Sequence, residues 1–148
     1  MSVTASGLYY LTFKAALINS VALNLDAETY KGALFTDTIT PNFDTDTAYT
    51  ASPYTSNECT TVTYWPSGGV VLTNTTFTVT TGTLKFDADD VSQVSTTLTN
   101  AKCYLWHATG VTEECIVLVN FGGNYSTNNG TFGITWAAGG IFTIDLTP

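Results

Sequence analysis

From Val70 to Leu146 the chain is a succession of short β-branched and aromatic stretches cut by glycine turns, a rhythm that confines it to antiparallel sheet. Thr73, Thr75, Phe77 and Val79 alternate with Asn74, Thr76, Thr78 and Thr80, the period of a half-buried strand that Gly82 ends. Leu84 and Phe86 make a short strand, and Ala101, Cys103 and Leu105 alternate with Lys102, Tyr104 and Trp106. The run Cys115-Ile116-Val117-Leu118-Val119 is continuously apolar, which predicts a central strand covered on both faces. Asn129-Gly130 is a strong turn signal ahead of Phe132, Ile134 and Trp136, because both residues tolerate positive φ. After a second turn at Ala138-Gly139-Gly140, Ile141, Thr143 and Asp145 alternate with Phe142, Ile144 and Leu146 in a last strand.

Upstream, Lys31, Ala33 and Phe35 alternate with Gly32, Leu34 and Thr36, and Val62, Tyr64 and Val70, Leu72 flank the turn Pro66-Ser67-Gly68-Gly69. The set predicts an all-β fold, a two-sheet β-sandwich of jelly-roll or immunoglobulin-like type. Without βαβ alternation or a GxGxxG segment, a dinucleotide-binding fold is excluded.

Residues 1–25 are expected to form a short N-terminal helix or an extended arm. Between Tyr10 and Ala22, Leu11, Ala15, Ile18 and Ala22 fall at i, i+4, i+7 and i+11 and would line one helix face. Phe13, Ala16 and Leu17 occupy the other faces, so a buried extended segment followed by a short helix fits the same residues. Residues 38–57 are rich in Thr, Asp and Asn, contain Pro41 and Pro53, and isolate Phe43, Tyr49 and Tyr54. They read as a long loop, a kind of segment that tends to be functional or to order against a partner; an irregular, bulged strand is the alternative.

At 148 residues a single domain, 1–148, is expected to bury its own core. Its surface must be largely hydroxyl and amide, since 30 residues are Thr and 9 are Ser while 11% are charged. Twelve carboxylates face four lysines and no arginine, for a net charge of −8. Phosphate backbones need clustered cations, and anionic lipid surfaces repel acidic proteins, so neither nucleic acid nor membrane is an expected partner. The apolar stretch from Leu8 to Leu25 is broken by Lys14, Asn19, Ser20 and Asn24; it reads as neither a secretory signal nor a membrane span, which needs about 18 nearly uninterrupted apolar residues.

Chemistry-bearing residues are few. Cys59, Cys103 and Cys115 lack CxxC spacing and read as buried free thiols of a reducing compartment. The single histidine, His107, is expected at the surface or half-buried near a strand end. Cys103 lies about 13 Å from it along a strand, too far for a nucleophile–base pair, whereas Cys115 or Cys59 could meet it in space. Asp87, Asp89 and Asp90, with Asp44 and Asp46 in the long loop, lack the glycine and closing glutamate of a calcium loop, and acidic turn residues making local hydrogen bonds are the expectation. Exposed aspartates give no reason for the raised pKa a glycosidase acid requires. The sequons at Asn74, Asn124 and Asn129 are what chance supplies in so Asn- and Thr-rich a chain. Trp65, Trp106, Trp136 and the tyrosines suit core packing better than a sugar platform. No catalytic residue, cofactor or metal is expected.

Four stretches together resemble small virion proteins of tailed bacteriophages, mainly phages of actinobacteria, of the minor structural or head-decoration kind: Lys31-Gly-Ala-Leu-Phe-Thr-Asp-Thr-Ile-Thr-Pro41, Gly68-Gly-Val-Val-Leu-Thr73, Phe86-Asp-Ala-Asp-Asp-Val91, and Gly130-Thr-Phe-Gly-Ile-Thr-Trp-Ala-Ala-Gly-Gly-Ile-Phe-Thr-Ile144. Where such proteins often carry a Gly-Thr-Gly-Tyr type turn, this chain has Glu58-Cys-Thr-Thr-Val-Thr-Tyr-Trp-Pro66. The resemblance implies a non-enzymatic decoration or cement protein on the capsid surface of the virion, assembled in the host cytoplasm. The major capsid protein and further copies of itself, as a homo-oligomer such as a trimer, would be its partners. A tail or head-fibre adhesin holding host-surface glycans is the alternative. The expected contacts are Tyr9, Tyr10 and Phe13 of the N-terminal segment, Phe43, Tyr49 and Tyr54 of the 38–57 loop, and Trp65.

Overall fold

The computed structural model describes residues 3–61, 63–110 and 112–147. Val62, read as part of a strand before the Pro66 turn, lies outside the described residues, as do Met1 and Ser2 of the N-terminal segment. The elements are β1 (Gly7–Leu8), α1 (Tyr10–Leu17), β2 (Tyr30–Thr36), β3 (Glu58–Cys59), β4 (Val70–Val71), β5 (Thr76–Thr80), β6 (Thr83–Asp87), β7 (Val91–Thr96), β8 (Ala101–Ala108), β9 (Cys115–Tyr125), β10 (Gly130–Ile134) and β11 (Phe142–Asp145). The fold is all-β and sandwich-like, built of antiparallel sheets with no closed barrel. Among the described residues no helix is long and apolar enough to cross a membrane.

The largest sheet runs β1-β9-β8-β2-β3, with β4 also paired to β2; β5, β6 and β11 form a second sheet, and β7 and β10 a third. As the apolar run at Cys115 predicts, β9 lies inside the large sheet, between β8 and β1. Register decides which residues share a face. Tyr30, Gly32 and Leu34 stand opposite Ala108, Trp106 and Tyr104, whereas Ala33 and Phe35 stand opposite Leu105 and Cys103. A register shift beside Trp106 and His107 places Ile116 and Val117, neighbours in sequence, in the same core.

The large sheet is thus a partition between two cores. On one face Tyr30, Leu34, Tyr104, Trp106, Ile116 and Val117 pack with Phe86 of β6, Val91 of β7, and Phe132 and Ile134 of β10. The other face presents Ala33, Phe35, Cys103, Leu105, Cys115 and Leu118, and its cover is not a sheet. Val3, Tyr9, Ile39 and Tyr54 pack there, with Phe43 and Tyr49 partly buried against them. Residues 38–57 are a loop, as read from composition, and the loop folds back as a lid on the partition.

Helix α1 is shorter than the apolar periodicity suggests. Asn19 adopts φ 59°, and the Asn19 and Ser20 amides bond back to the carbonyls of Ala16 and Ala15, which ends the helix at its second turn. Strand β7 is the longest element without a sequence signal, the two-residue β1 and β3 being the others. Its outward residues include Val94 and its Ser95 has φ 53°, so neither alternation nor β-propensity marks it.

Candidate functional site

Helix α1 is held rigidly by what surrounds it. Strand β1 pairs Gly7 and Leu8 with Leu118 and Val117, the Tyr9 amide donates to the Ile116 carbonyl, and the Tyr10 amide donates to the Phe43 carbonyl. Phe13 meets Phe142 edge-on at 5.9 Å. The helix is nevertheless inside out. Its one buried residue is Thr12, while Tyr10 (58% exposed), Leu11, Leu17 (87%) and Ile18 (64%) face solvent. With Lys14 these residues fall at i, i+1, i+4, i+7 and i+8, a single stripe. The Leu11, Ala15, Ile18, Ala22 series does not turn toward the core, because Leu11, Ile18 and Ala22 are exposed. Beside the stripe, Leu11, Thr12 and Ala15 line a groove of about 370 Å³ whose far wall is Thr47, Ala48 and Thr50. The buried Thr12 hydroxyl has no hydrogen-bond partner there.

The expected contact residues divide. Tyr10 is exposed, and Phe13, Phe43 and Tyr49 are half-buried. Tyr9, Tyr54 and Trp65 are corrections: they are fully enclosed and offer no surface to a partner. Tyr9 donates to the Tyr54 hydroxyl, which donates to Asp46 Oδ2 at 2.9 Å, so the loop aromatics serve the second core. Trp65 meets Tyr104 and Phe132 edge-on in the first core. Leu17 and Ile18, the most exposed apolar members of the stripe, were not among the expected contacts. Their signal was a helical period carrying apolar residues on every face.

His107 is a second correction, being fully buried. Its Nδ1 lies 2.7 Å from the Ala108 carbonyl and its Nε2 3.0 Å from the Gly68 carbonyl, while the Tyr49 ring stacks on it at 4.3 Å. Glu58 completes the cluster by accepting from the Gly68 amide and from the Ser67 and Tyr49 hydroxyls. These bonds fasten the Pro66–Gly69 turn to the sheet. Cys115 stands opposite His107 in the β8–β9 register, as space allowed, yet the thiol is fully buried and the imidazole is engaged elsewhere.

All three cysteines are free and buried. Burial pushes the Cys59 thiol up to about 11 and that of Cys103 up to about 12, and it raises Cys115 further. Thiolate chemistry at neutral pH is suppressed. Native protein at pH 8 is therefore expected to react with a thiol reagent at least ~100-fold more slowly than urea-unfolded protein, since exposure and thiolate fraction both fall. Equal rates in a stopped-flow assay would contradict the burial. Unfolded thiols lose protons first, so stability is full below about pH 9 and declines as pH rises from about 9 toward about 12. Denaturant midpoints between pH 8 and 11 measure it.

The acidic cluster does local work. Asp87 pairs with Lys85 at 3.0 Å, Asp89 accepts from Thr73 and Asn74, Asp90 accepts from the Trp136 amide, and Asp46 accepts from the Asn42 amide. Among the described residues no group of three or more His, Cys, Asp or Glu is placed to hold a metal ion.

A cleft of about 470 Å³ opens between β9 and β10, floored by Phe121, Phe132 and Ile134 and edged by Tyr125, which is 52% exposed. Tyr125 contacts Phe121 edge-on, and among the described residues no ring contact joins Tyr125 to the other exposed tyrosines, Tyr10 and Tyr64. Compared with known proteins, the chain matches no family model, no curated protein and no solved structure.

Proposed function

We propose that this chain is a non-enzymatic virion protein of a tailed bacteriophage that docks on the assembled head as a decoration or cement protein. The observation that carries the reading is the inverted helix. A short helix, clamped by β1 and Phe43, turns Tyr10, Leu11, Leu17 and Ile18 to solvent and buries a threonine. An exposed apolar stripe on a small protein, here with Lys14 at its middle, is the kind of surface that another molecule covers.

A shell offers many identical sites, so a modest patch per copy suffices once copies act together, and binding only the assembled state stabilises it by mass action. Closed symmetry, with the major capsid protein and sister copies as neighbours, suits such a surface. Resemblance to head-decoration proteins points the same way.

The test is binding of purified protein to heads that lack it. The wild-type chain is expected to co-sediment with heads and raise their resistance to heat. Leu17→Asp combined with Ile18→Asp is expected to weaken binding at least ~10-fold, because apolar anchors at the centre of an interface dominate its energy. The same pair should cost folding no more than about 1–2 kcal/mol, since both side chains are exposed and the loss is confined to two acids at the negative end of the helix dipole. Failure to co-sediment, with heads no less stable in its absence, would sink the proposal. Recognition of host glycans on an array, with labelling confined to tails, would transfer it to the adhesin reading.

A further inference from the structure

Strands β9 and β10 are consecutive, joined by residues 126–129, yet they do not pair: β9 stays in the large sheet and β10 bonds only to β7. The cleft described above is the space this splayed hairpin leaves. One wall consists of five consecutive residues, 131–135. Side chains alternate across a strand, so a wall built from a strand's face would show every second residue. An unbroken series means that β10 presents its edge, with a row of main-chain groups facing the cleft.

Nothing blunts that edge. Residues 131–135 include no proline and no charge. Gly133 is not demanded by the fold, because a Cβ built there meets nothing closer than the Val91 carbonyl oxygen at 3.7 Å and its φ is not positive. A glycine in such a strand suits close approach by another backbone.

The charge around the cleft selects the occupant. Its lining carries no Asp, Glu or Lys. Carboxylates lie at both ends: Asn124, next to Tyr125, donates to Asp37, and the amide of Trp136, next to Thr135, donates to Asp90. A second copy, with the same net charge of −8, brings the wrong sign.

We propose that the β9–β10 cleft accepts an extended peptide segment of another protein, which adds as a third strand to the free edge of β10. Alternate apolar side chains of that segment meet Phe121, Phe132 and Ile134, and basic residues flank it to face Asp37 and Asp90. Strand addition of this type draws affinity from main-chain bonds and specificity from alternate side chains. The cleft is separate from the α1 stripe, and the inference stands whether or not that stripe docks on a shell.

The experiment selects a displayed library of random nonapeptides on the full chain, then measures amide hydrogen exchange with the enriched peptide made synthetically. Enriched sequences are expected to alternate apolar and polar residues between Lys or Arg flanks and to slow exchange across 130–134 at least ~10-fold. N-methylation of alternate peptide amides should weaken binding ~10-fold or more, because it deletes the main-chain bonds while keeping the side chains. Exchange of the flanks for Glu should weaken it ~5-fold or more at low salt. No enrichment, enriched peptides that leave β10 exchange unchanged, or indifference to N-methylation would each overturn the proposal. So would protection of β10 that rises with protein concentration alone, which would make a second copy the occupant.

Discussion

Phe86→Ala is expected to lower the free energy of unfolding by about 3–5 kcal/mol, the upper range for truncating a buried side chain. Phe86 is fully buried, and its ring lies 3.9 Å from that of Trp106, stacks with Phe142 at 5.5 Å, and contacts Tyr30 and Phe77. It joins the small β5–β6–β11 sheet to the partition, so its removal leaves a void that three strands cannot close without giving up register. Urea unfolding should show a lower midpoint with an unchanged slope. A loss below about 1.5 kcal/mol would mean that the sheet relaxes into the cavity and the packing argument fails.

The second large effect comes from two adjacent glycines with nearly the same backbone conformation. Gly68 has φ +83° with open space where a Cβ would go, whereas a Cβ on Gly69, at φ +82°, would sit 1.9 Å from the carbonyl oxygen of Gly32. Gly68→Ala should therefore cost only the left-handed penalty, about 1 kcal/mol. Gly69→Ala should cost about 2–4 kcal/mol, because the obstructing atom is backbone in β2 and cannot rotate aside. The difference between the two variants isolates the clash. Equal losses would show that β4 moves away from β2 freely.

The residues that announced the fold did so through period. Continuous apolarity from Cys115 marked a strand closed on both faces, and alternation along Lys31–Thr36 and Ala101–Trp106 marked two more strands of the same sheet, although the structure buries both of their faces rather than one. What went unread depends on distant contacts. Nothing local distinguishes Tyr9 and Tyr54, linked by a hydroxyl pair across 45 residues, from aromatics waiting for a partner. His107 read as a surface or half-buried residue because the Gly68 carbonyl at its Nε2 and its Tyr49 cover come from a distant turn and a distant loop. The Asn129-Gly130 turn was legible and Asn129 does take positive φ, but whether the flanking strands pair is settled by β7 and β8, which claim β10 and β9 separately. The inverted face of α1 was concealed for the opposite reason. Apolar residues on every side leave periodicity unable to say which side is wet.

The unequal roofing of the partition sets an order of failure. One side is sealed by bonded strands, the other by rings on an irregular segment tied to the body by scattered main-chain bonds and no sheet ladder, so rising temperature is expected to lift the latter first. In that first stage water and oxidants are expected to reach Cys103 and Cys115 while Trp106 remains dry, which makes a modified thiol the earliest chemical record of a molecule that has begun to open.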